Sequence, residues 1–99
     1  MSFHLLKNKT FGMIGFGDLA KALLPLLKPF SKNFYSFDPW VSNKQMLDNE
    51  VKKCSLNILL KKCDIIYVLA SITSKNQNLI NKSRLNILKK NSCFILMSR

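Results

Sequence analysis

The sequence contains few acidic residues, one histidine and no long apolar run. Five aspartates and glutamates stand against sixteen lysines and arginines, which gives a formal net charge of +11. No apolar stretch reaches the roughly 20 residues that a membrane-spanning helix needs, and the first residues lack the pattern of a secretory signal. The single histidine, His4, lies outside any reactive cluster, and we interpret it as a surface residue. We therefore expect a cytoplasmic protein without a membrane partner.

Cysteine is also scarce, and the basic residues are not concentrated in one block. Cys54, Cys63 and Cys93 form an odd set without C-x-x-C spacing, which favours half-buried apolar side chains in a reducing compartment over a zinc site or a disulfide framework. The lysines are scattered as single residues and pairs. This distribution favours a solvated basic surface over a nucleic-acid interface, although the surface would attract anionic cofactors and substrates.

Apolar segments with strand-like and helix-like spacing alternate along the chain, without a repeat or a linker. The predicted strands are Thr10–Ile14, Asn33–Phe37, Val51–Cys54, Asp64–Ala70 and Cys93–Met97. The predicted helices are Asp18–Phe30, a short helix capped by Ser42 or Asn43 and ending near Asp48, Ser55–Lys62 with Ser55 as cap, and Lys82–Lys90 with Leu85 and Leu88 inward. This alternation predicts an α/β fold with a doubly wound parallel sheet of five strands in the order 3-2-1-4-5.

The first predicted helix has an apolar face and one interruption. Pro25 lies inside it and lacks a backbone N–H group, so we expect a kink or an early end there. The residues predicted to face the sheet are Leu19, Leu23, Leu26, Leu27 and Phe30.

The glycine-rich turn after the first strand is the most informative stretch. Gly15, Gly17 and Ala20 match the pattern G-x-G-x-x-G/A of dinucleotide-binding turns. In that pattern the first glycine allows a tight turn, the second lets the backbone approach a pyrophosphate, and the third small residue lets the helix pack against the strand. The N-terminus of the following helix adds amide donors and a positive dipole end.

A second feature, Asp38, follows Gly17 by twenty-one positions at the end of the second strand. An acidic residue there accepts hydrogen bonds from the adenosine ribose, and its charge disfavours a 2′-phosphate, which predicts NAD as cofactor rather than NADP. The alternative is a simple Asx turn before Pro39.

These motifs, with three further segments, resemble the D-isomer-specific 2-hydroxyacid dehydrogenases. That family carries stretches similar to G-x-G-x-I-G, D-P, L-x-x-L-L-x-x-S-D-V-V and P-L-T-x-x-T-x-x-L-I-N, and a late strand that ends in arginine. The matching segments here are Gly15–Ala20, Asp38–Trp40, Leu56–Ile66, Ser71–Asn81 and Met97–Arg99, in a register that needs little or no gapping. The resemblance implies a Rossmann-like fold and NAD as cofactor.

The resemblance also implies roles for individual residues. The glycine turn with the amides after it would hold the pyrophosphate, and Asp38 would hold the adenosine ribose. Ala70 and Ser71 would line the cofactor cleft, and Met97 and Ser98 would lie beside the nicotinamide. The complete implied cofactor-binding set is Gly15, Phe16, Gly17, Asp18, Leu19, Asp38, Pro39, Ala70, Ser71, Met97 and Ser98.

Arg99 matches the catalytic arginine of the family, which binds a small 2-hydroxy or 2-oxo acid and orients it for hydride transfer. A guanidinium suits a carboxylate because it offers a planar fork of donors; the alternative is a frayed basic terminus. Two departures fall in the loop before it: Ser71 replaces the usual proline and Asn76 the usual threonine. A less rigid loop is therefore expected.

The acid–base histidine and its glutamate partner have no counterpart among these residues. His4 and Glu50 lie outside the expected cleft, and acid–base catalysis needs a group within hydrogen-bond reach of the reacting oxygen. We therefore expect residues 1–99 to be a partial NAD-binding domain, inactive alone, from a homodimeric parent whose substrate domain and C-terminal part are absent. The alternative is a stand-alone, non-catalytic dinucleotide-binding module or a degenerate remnant.

Overall fold

The chain folds as a parallel β-sheet with helices on both faces. The computed structural model describes residues 8–69, 86–88 and 92–96. Within these residues, the strands are β1 (Thr10–Ile14), β2 (Asn33–Phe37), β3 (Lys52–Lys53), β4 (Ile65–Val68) and β5 (Cys93–Leu96). The helices in the same residues are α1 (Asp18–Leu27), α2 (Asn43–Asp48) and α3 (Leu56–Lys62).

The five strands lie in the order β3-β2-β1-β4-β5, and all four pairings are parallel. The central strand β1 pairs with β2 on one side and with β4 on the other, so that Gly12 is in register with Tyr35 and with Ile66. The predicted order 3-2-1-4-5 is therefore confirmed. At the amino end of β1, Asp64 joins β1 to β4, because its carboxylate accepts from the Thr10 amide at 2.9 Å.

Alternate residues of the strands enter two separate hydrophobic clusters, one on each face of the sheet. Phe11 and Met13 of β1 belong to the cluster that α1 and α2 cover. Ile14 belongs to the cluster that α3 covers, together with Ile66 and Val68 of β4. Burial on both faces explains why β4 is an almost continuous apolar run rather than an alternating one.

Two of the three described helices begin at the serines that the sequence predicts as caps. Ser42 and Gln45 form a capping box at α2, with the Ser42 hydroxyl accepting from the Gln45 amide at 3.1 Å. The Ser55 hydroxyl accepts from the Ile58 amide at 3.3 Å at the start of α3. Each cap satisfies a backbone donor that the helix itself leaves without a partner.

The first helix departs from prediction at its end and on one face. It ends at Leu27, two residues after Pro25 and three before the predicted end at Phe30. Ala20, Leu24 and Leu27 form its buried stripe, whereas Leu26, predicted to face the sheet, is 67% exposed. The error arises because the sheet contacts a narrower arc of the helix than the apolar spacing implies.

Other boundaries also shift. The predicted strand Val51–Cys54 contracts to Lys52–Lys53, and residues 86–88, expected within the helix Lys82–Lys90, form a turn. Leu88 does pack against the cluster under α3, as predicted. The remainder of that helix, Leu85 included, lies outside the described residues, as does the loop 71–81.

The packing of α3 on β1 requires a glycine at position 12, which the sequence analysis did not identify. Gly12 lies in β1 under α3, and a Cβ atom added to it would come within 2.7 Å of the Cys63 sulfur and 2.8 Å of a Leu59 methyl carbon. Both partners are fully buried, at 0% exposure, so neither can move into solvent. The absence of a side chain at Gly12 therefore sets how closely α3 approaches the sheet.

Replacing Gly12 with alanine should lower the free energy of unfolding by about 1–3 kcal/mol, because α3 must move away from β1. Chemical denaturation followed by circular dichroism measures this change. The matched control is Gly17→Ala, since a Cβ at Gly17 meets nothing within 4 Å. Equal effects of the two substitutions would contradict the packing explanation.

Two half-buried side chains, Tyr67 and Cys54, should make the stability of the protein depend on pH in the alkaline range. Burial raises the pKa of the Tyr67 hydroxyl, and the neighbouring Cys93 raises it further. Burial also raises the pKa of the Cys54 thiol, an effect that Lys62 partly opposes. In both cases the folded protein holds its proton to a higher pH than the unfolded chain does.

Stability from these groups should be fully present below about pH 9 and should fall as pH rises through the raised pKa values, because the unfolded chain loses those protons first. Melting temperatures between neutral and strongly alkaline pH measure the loss. The Tyr67→Phe variant should lose less stability over this range than the unaltered chain. An identical slope in both would exclude Tyr67 as a contributor.

Candidate cofactor-binding site

The turn between β1 and α1 lies at the carboxyl end of the sheet, held between the ends of β2 and β4. The Gly15 amide donates to the Phe37 carbonyl at the end of β2 at 2.8 Å, and the Leu69 amide donates to the Ile14 carbonyl at 2.9 Å. The chain runs from β1 through β2 to β3 on one side of β1 and then crosses to β4 on the other side. Doubly wound folds bind ligands where the strand order reverses in this way. The topology therefore places the glycine turn at the expected binding crevice.

Gly15 and Phe16 fix the shape of this turn. Gly15 has a φ angle of 100°, a left-handed conformation that residues with a side chain rarely adopt. The next side chain, Phe16, is only 2% exposed and packs in the cluster under α1. The buried Phe16 side chain therefore anchors the turn in the hydrophobic core, while the Gly17 backbone stays at the surface.

Gly17 differs from the other two glycines because none of the described residues requires a glycine there. It is exposed, its φ angle of −106° is open to any residue, and a Cβ atom there would meet nothing within 4 Å. A side chain at this position would fill space next to the helix N-terminus. This open space is where the dinucleotide pattern places a pyrophosphate.

The N-terminus of α1 also differs from the starts of α2 and α3. Its N-cap is Gly17, which makes no side-chain cap hydrogen bond, and its first backbone bond runs from the Lys21 amide to the Gly17 carbonyl at 3.1 Å. No serine hydroxyl occupies the first-turn amides, which include those of Asp18 and Leu19. These donors, at the positive end of the helix dipole, suit an anionic ligand.

Asp38 connects the glycine turn to the loop that follows β2. One carboxylate oxygen accepts from the Phe16 amide at 2.8 Å, and the other accepts from the Trp40 amide at 2.9 Å. The second bond forms an Asx turn, which the sequence analysis gave as the alternative role of Asp38 to binding ribose. The first bond was not predicted, because no local pattern pairs residues that are 22 positions apart.

These two hydrogen bonds do not use the full accepting capacity of the Asp38 carboxylate. Each carboxylate oxygen has two lone-pair sites, so Asp38 can still accept from a hydroxyl group of a ligand. Asp38 is itself half-buried at the crevice, and Pro39 beside it is exposed. An acceptor, an open glycine and uncapped amides thus meet at one edge of the sheet, which fits an adenine dinucleotide.

Comparison with known proteins agrees with this geometry. The sequence model of the D-isomer specific 2-hydroxyacid dehydrogenase, NAD binding domain, matches residues 1–99. The chain belongs to this family. It is therefore an NAD-binding domain, and the predicted family, fold and cofactor are confirmed.

Over the matched regions, the sequences of individual relatives are about one-third identical to that of the chain. Mitochondrial formate dehydrogenase of Solanum tuberosum is 33% identical over 88 residues, which cover 86% of this chain and 23% of that protein. The D-lactate dehydrogenase of Escherichia coli is similar in structure, with a TM-score of 0.84, 30% identity, and coverage of 95% of this chain and 30% of that chain. An NAD complex of formate dehydrogenase from Staphylococcus aureus has a TM-score of 0.81 at 30% identity, covering 95% and 28%.

The chain spans about a quarter of the length of the curated relatives it matches. The matched part corresponds to the NAD-binding domain that the family model describes.

The structure brings together some of the dehydrogenase site residues implied by the sequence, while others lie outside the described residues. The group that meets at the crevice is Gly15, Phe16, Gly17, Asp18, Leu19, Asp38 and Pro39. The group outside the described residues is Ala70, Ser71, Met97, Ser98 and Arg99. His4, which the sequence analysis interprets as a surface residue, also lies outside them. Glu50 lies at the far end of α1 from the crevice, where its carboxylate pairs with Lys28 at 3.1 Å.

Other kinds of site find little support in the described parts of the chain. No group of three or more metal-binding side chains occurs there. Cys54, Cys63 and Cys93 are all free thiols, with Cys63 buried. None of the helices in those ranges has the length and apolar character needed to cross a bilayer.

Removing the Asp38 carboxylate should destabilise this dehydrogenase domain even when no NAD is bound. In Asp38→Ala the Phe16 and Trp40 amides lose their acceptor, which should lower the free energy of unfolding by about 1–3 kcal/mol. Denaturant titration measures this change. The control is Asp48→Ala, an exposed carboxylate in α2, for which we expect less than about 0.5 kcal/mol. Equal losses would show that the two bonds contribute nothing.

Proposed function

We propose that the chain holds NAD at the carboxyl end of β1 and β2 and forms the cofactor half of a D-2-hydroxyacid dehydrogenase active site. The observation that carries the proposal is the open space at Gly17, where the fold itself makes no demand for glycine. The presence of glycine there is explained by a bound pyrophosphate, because a side chain would block its approach to the backbone.

The roles follow from the positions of the groups. The pyrophosphate would accept from the amides of the glycine turn and from those of Asp18 and Leu19. Asp38 would accept from the adenosine ribose hydroxyls, with Pro39 beside it. Because Asp38 is a carboxylate, it would repel a 2′-phosphate, which favours NAD over NADP. Bound NAD would supply the hydride-transfer chemistry at its nicotinamide ring.

The rest of the dehydrogenase site is proposed from the resemblance. Ala70 and Ser71 would line the cleft after β4, and Met97 and Ser98 would lie beside the nicotinamide. Arg99 would bind the carboxylate of a small 2-hydroxy or 2-oxo acid and orient it for hydride transfer. The acid–base group would come from outside these 99 residues, since their only histidine, His4, precedes β1.

We also propose that residues 1–99 are part of a larger, homodimeric cytoplasmic enzyme that binds neither nucleic acid nor membranes. Free thiols at all three cysteines support a reducing compartment. Not every member of the family is cytoplasmic: the name of the Solanum tuberosum relative places that protein in mitochondria. The share of the relatives' length that the chain covers supports a larger protein.

The substitution Gly17→Ser should separate stability from NAD binding. Serine is a favourable N-cap residue and its Cβ meets no atom of the protein, so the melting temperature should stay the same or rise. The new side chain should compete with the pyrophosphate and weaken NAD binding by about tenfold or more, equivalent to about 1.4 kcal/mol. Titration calorimetry with NAD, paired with thermal melts, measures both quantities.

The matched control is Leu26→Ala, which removes an exposed side chain at the other end of α1. This control should leave NAD affinity unchanged. An unchanged NAD affinity in Gly17→Ser would remove the pyrophosphate from this position, and the absence of any NAD binding by the unaltered chain would overturn the whole proposal.

A further inference from the structure

The one tryptophan of the chain lies beside the proposed cofactor site, and its side chain is not part of either described hydrophobic cluster. Trp40 is 90% exposed, compared with 67% for Leu26, 55% for Leu47 and 44% for Ile58, the other exposed large apolar side chains in the described residues. An indole ring is the largest apolar surface that a side chain offers, and exposing it to water is unfavourable. Trp40 also follows Asp38 by only two residues.

The backbone that carries Trp40 is held at several points. The Trp40 amide donates to one Asp38 oxygen at 2.9 Å, and the Val41 amide donates to the Asp38 carbonyl at 3.3 Å. Lys53 donates to the Val41 carbonyl at 2.7 Å, and the Val41 side chain packs on the cluster under α1. Pro39 restricts the remaining freedom by fixing its own φ angle. The exposed indole is therefore carried by an ordered loop.

The same carboxylate fixes this loop relative to the glycine turn. The second oxygen of Asp38 accepts from the Phe16 amide at 2.8 Å, so one side chain is bonded to both parts of the site. Leu26, Leu47 and Ile58 have no such connection, because each lies on a helix. Single exposed apolar residues of that kind are ordinary on protein surfaces.

We propose that the Trp40 indole stacks on the adenine ring of the bound dinucleotide. The inference rests on the proposed NAD site, in which Asp38 holds the adenosine ribose. Adenine is bonded directly to that ribose, so it must lie within about one long side chain of the Asp38–Val41 loop. Stacking on an aromatic ring is a common way for proteins to hold a base, and the ordered loop lowers the entropic cost of forming the contact.

Stacking contacts the face of the base and leaves its edges free, so it adds affinity for the adenosine half of the cofactor. Two properties should follow. The isolated adenosine half, AMP, should bind with a dependence on Trp40 similar to that of NAD. Binding of either ligand should also change the emission of the chain's single tryptophan, because the indole would pass from water to contact with a base.

Titration calorimetry with AMP and with NAD tests the proposal on the full chain, using Trp40→Ala and Trp40→Phe. We expect both ligands to bind to Trp40→Ala with affinity lower by on the order of tenfold, and Trp40→Phe to recover most of the loss because it keeps an aromatic face. Leu47→Ala, an exposed apolar residue of α2, is the control and should bind as the unaltered chain does. Melting temperatures should be unchanged, since the indole is exposed.

Emission of the unaltered chain supplies an independent measurement. AMP should quench Trp40 emission with the same saturation curve that calorimetry gives. Emission that responds to protein concentration and not to AMP would instead place the indole in a contact between two copies of the chain and overturn the proposal.

The failures of the two proposals are distinguishable. If the unaltered chain binds NAD and Trp40→Ala binds it equally well, the stacking proposal is wrong and the NAD site stands. If the unaltered chain binds NAD but Gly17→Ser binds it equally well, the pyrophosphate position is wrong whatever Trp40 does. If NAD does not bind at all, both proposals fall together.

Discussion

The candidate site depends on one carboxylate that joins two loops distant in sequence. Asp38 accepts from the Phe16 amide in the glycine turn and from the Trp40 amide in the loop after β2. Without these bonds the two loops would be linked in the described residues chiefly through the Gly15–Phe37 backbone bond. A group expected to bind ribose therefore also assembles the surface on which ribose would lie. This double use makes the site rigid before any ligand arrives, which reduces the entropic cost of binding.

The three glycines of β1 and the turn after it differ in the reason that a glycine is present. Gly12 is required by the protein's own packing, because α3 leaves no room for a side chain. Gly15 is required by the backbone, which turns with a positive φ angle. Gly17 is required by neither in the described residues, and we propose that a bound ligand accounts for it. The dinucleotide pattern assigns a tight turn to Gly15, which agrees with its positive φ angle, but it does not include Gly12.

Local chemistry made much of the fold predictable. Ser42 and Ser55 cap their helices through contacts within three residues. The side chains of β2 alternate between buried and more exposed positions, as the period of a strand predicts. Errors arose where distant elements decide the outcome. Leu26 has helical spacing suited to burial, yet it is exposed, and no helix or strand in the described part of the chain covers it. The role of Gly12 depends on Leu59 and Cys63, about 50 residues further along the chain, beyond the reach of local spacing rules.

The sequence by itself determined the order of strands and helices, the glycine turn and the membership of the dehydrogenase family, because these depend on spacing within short segments and on motif identity. Only the tertiary structure decided that Asp38 accepts a hydrogen bond from the glycine turn and that Gly17 faces open space. It also decided that Trp40 is exposed close to Asp38. These facts depend on which strand ends meet at one edge of the sheet. Parallel pairing of β1 with β2 brings residues 20 or more positions apart into contact, and no pattern within either segment specifies those contacts.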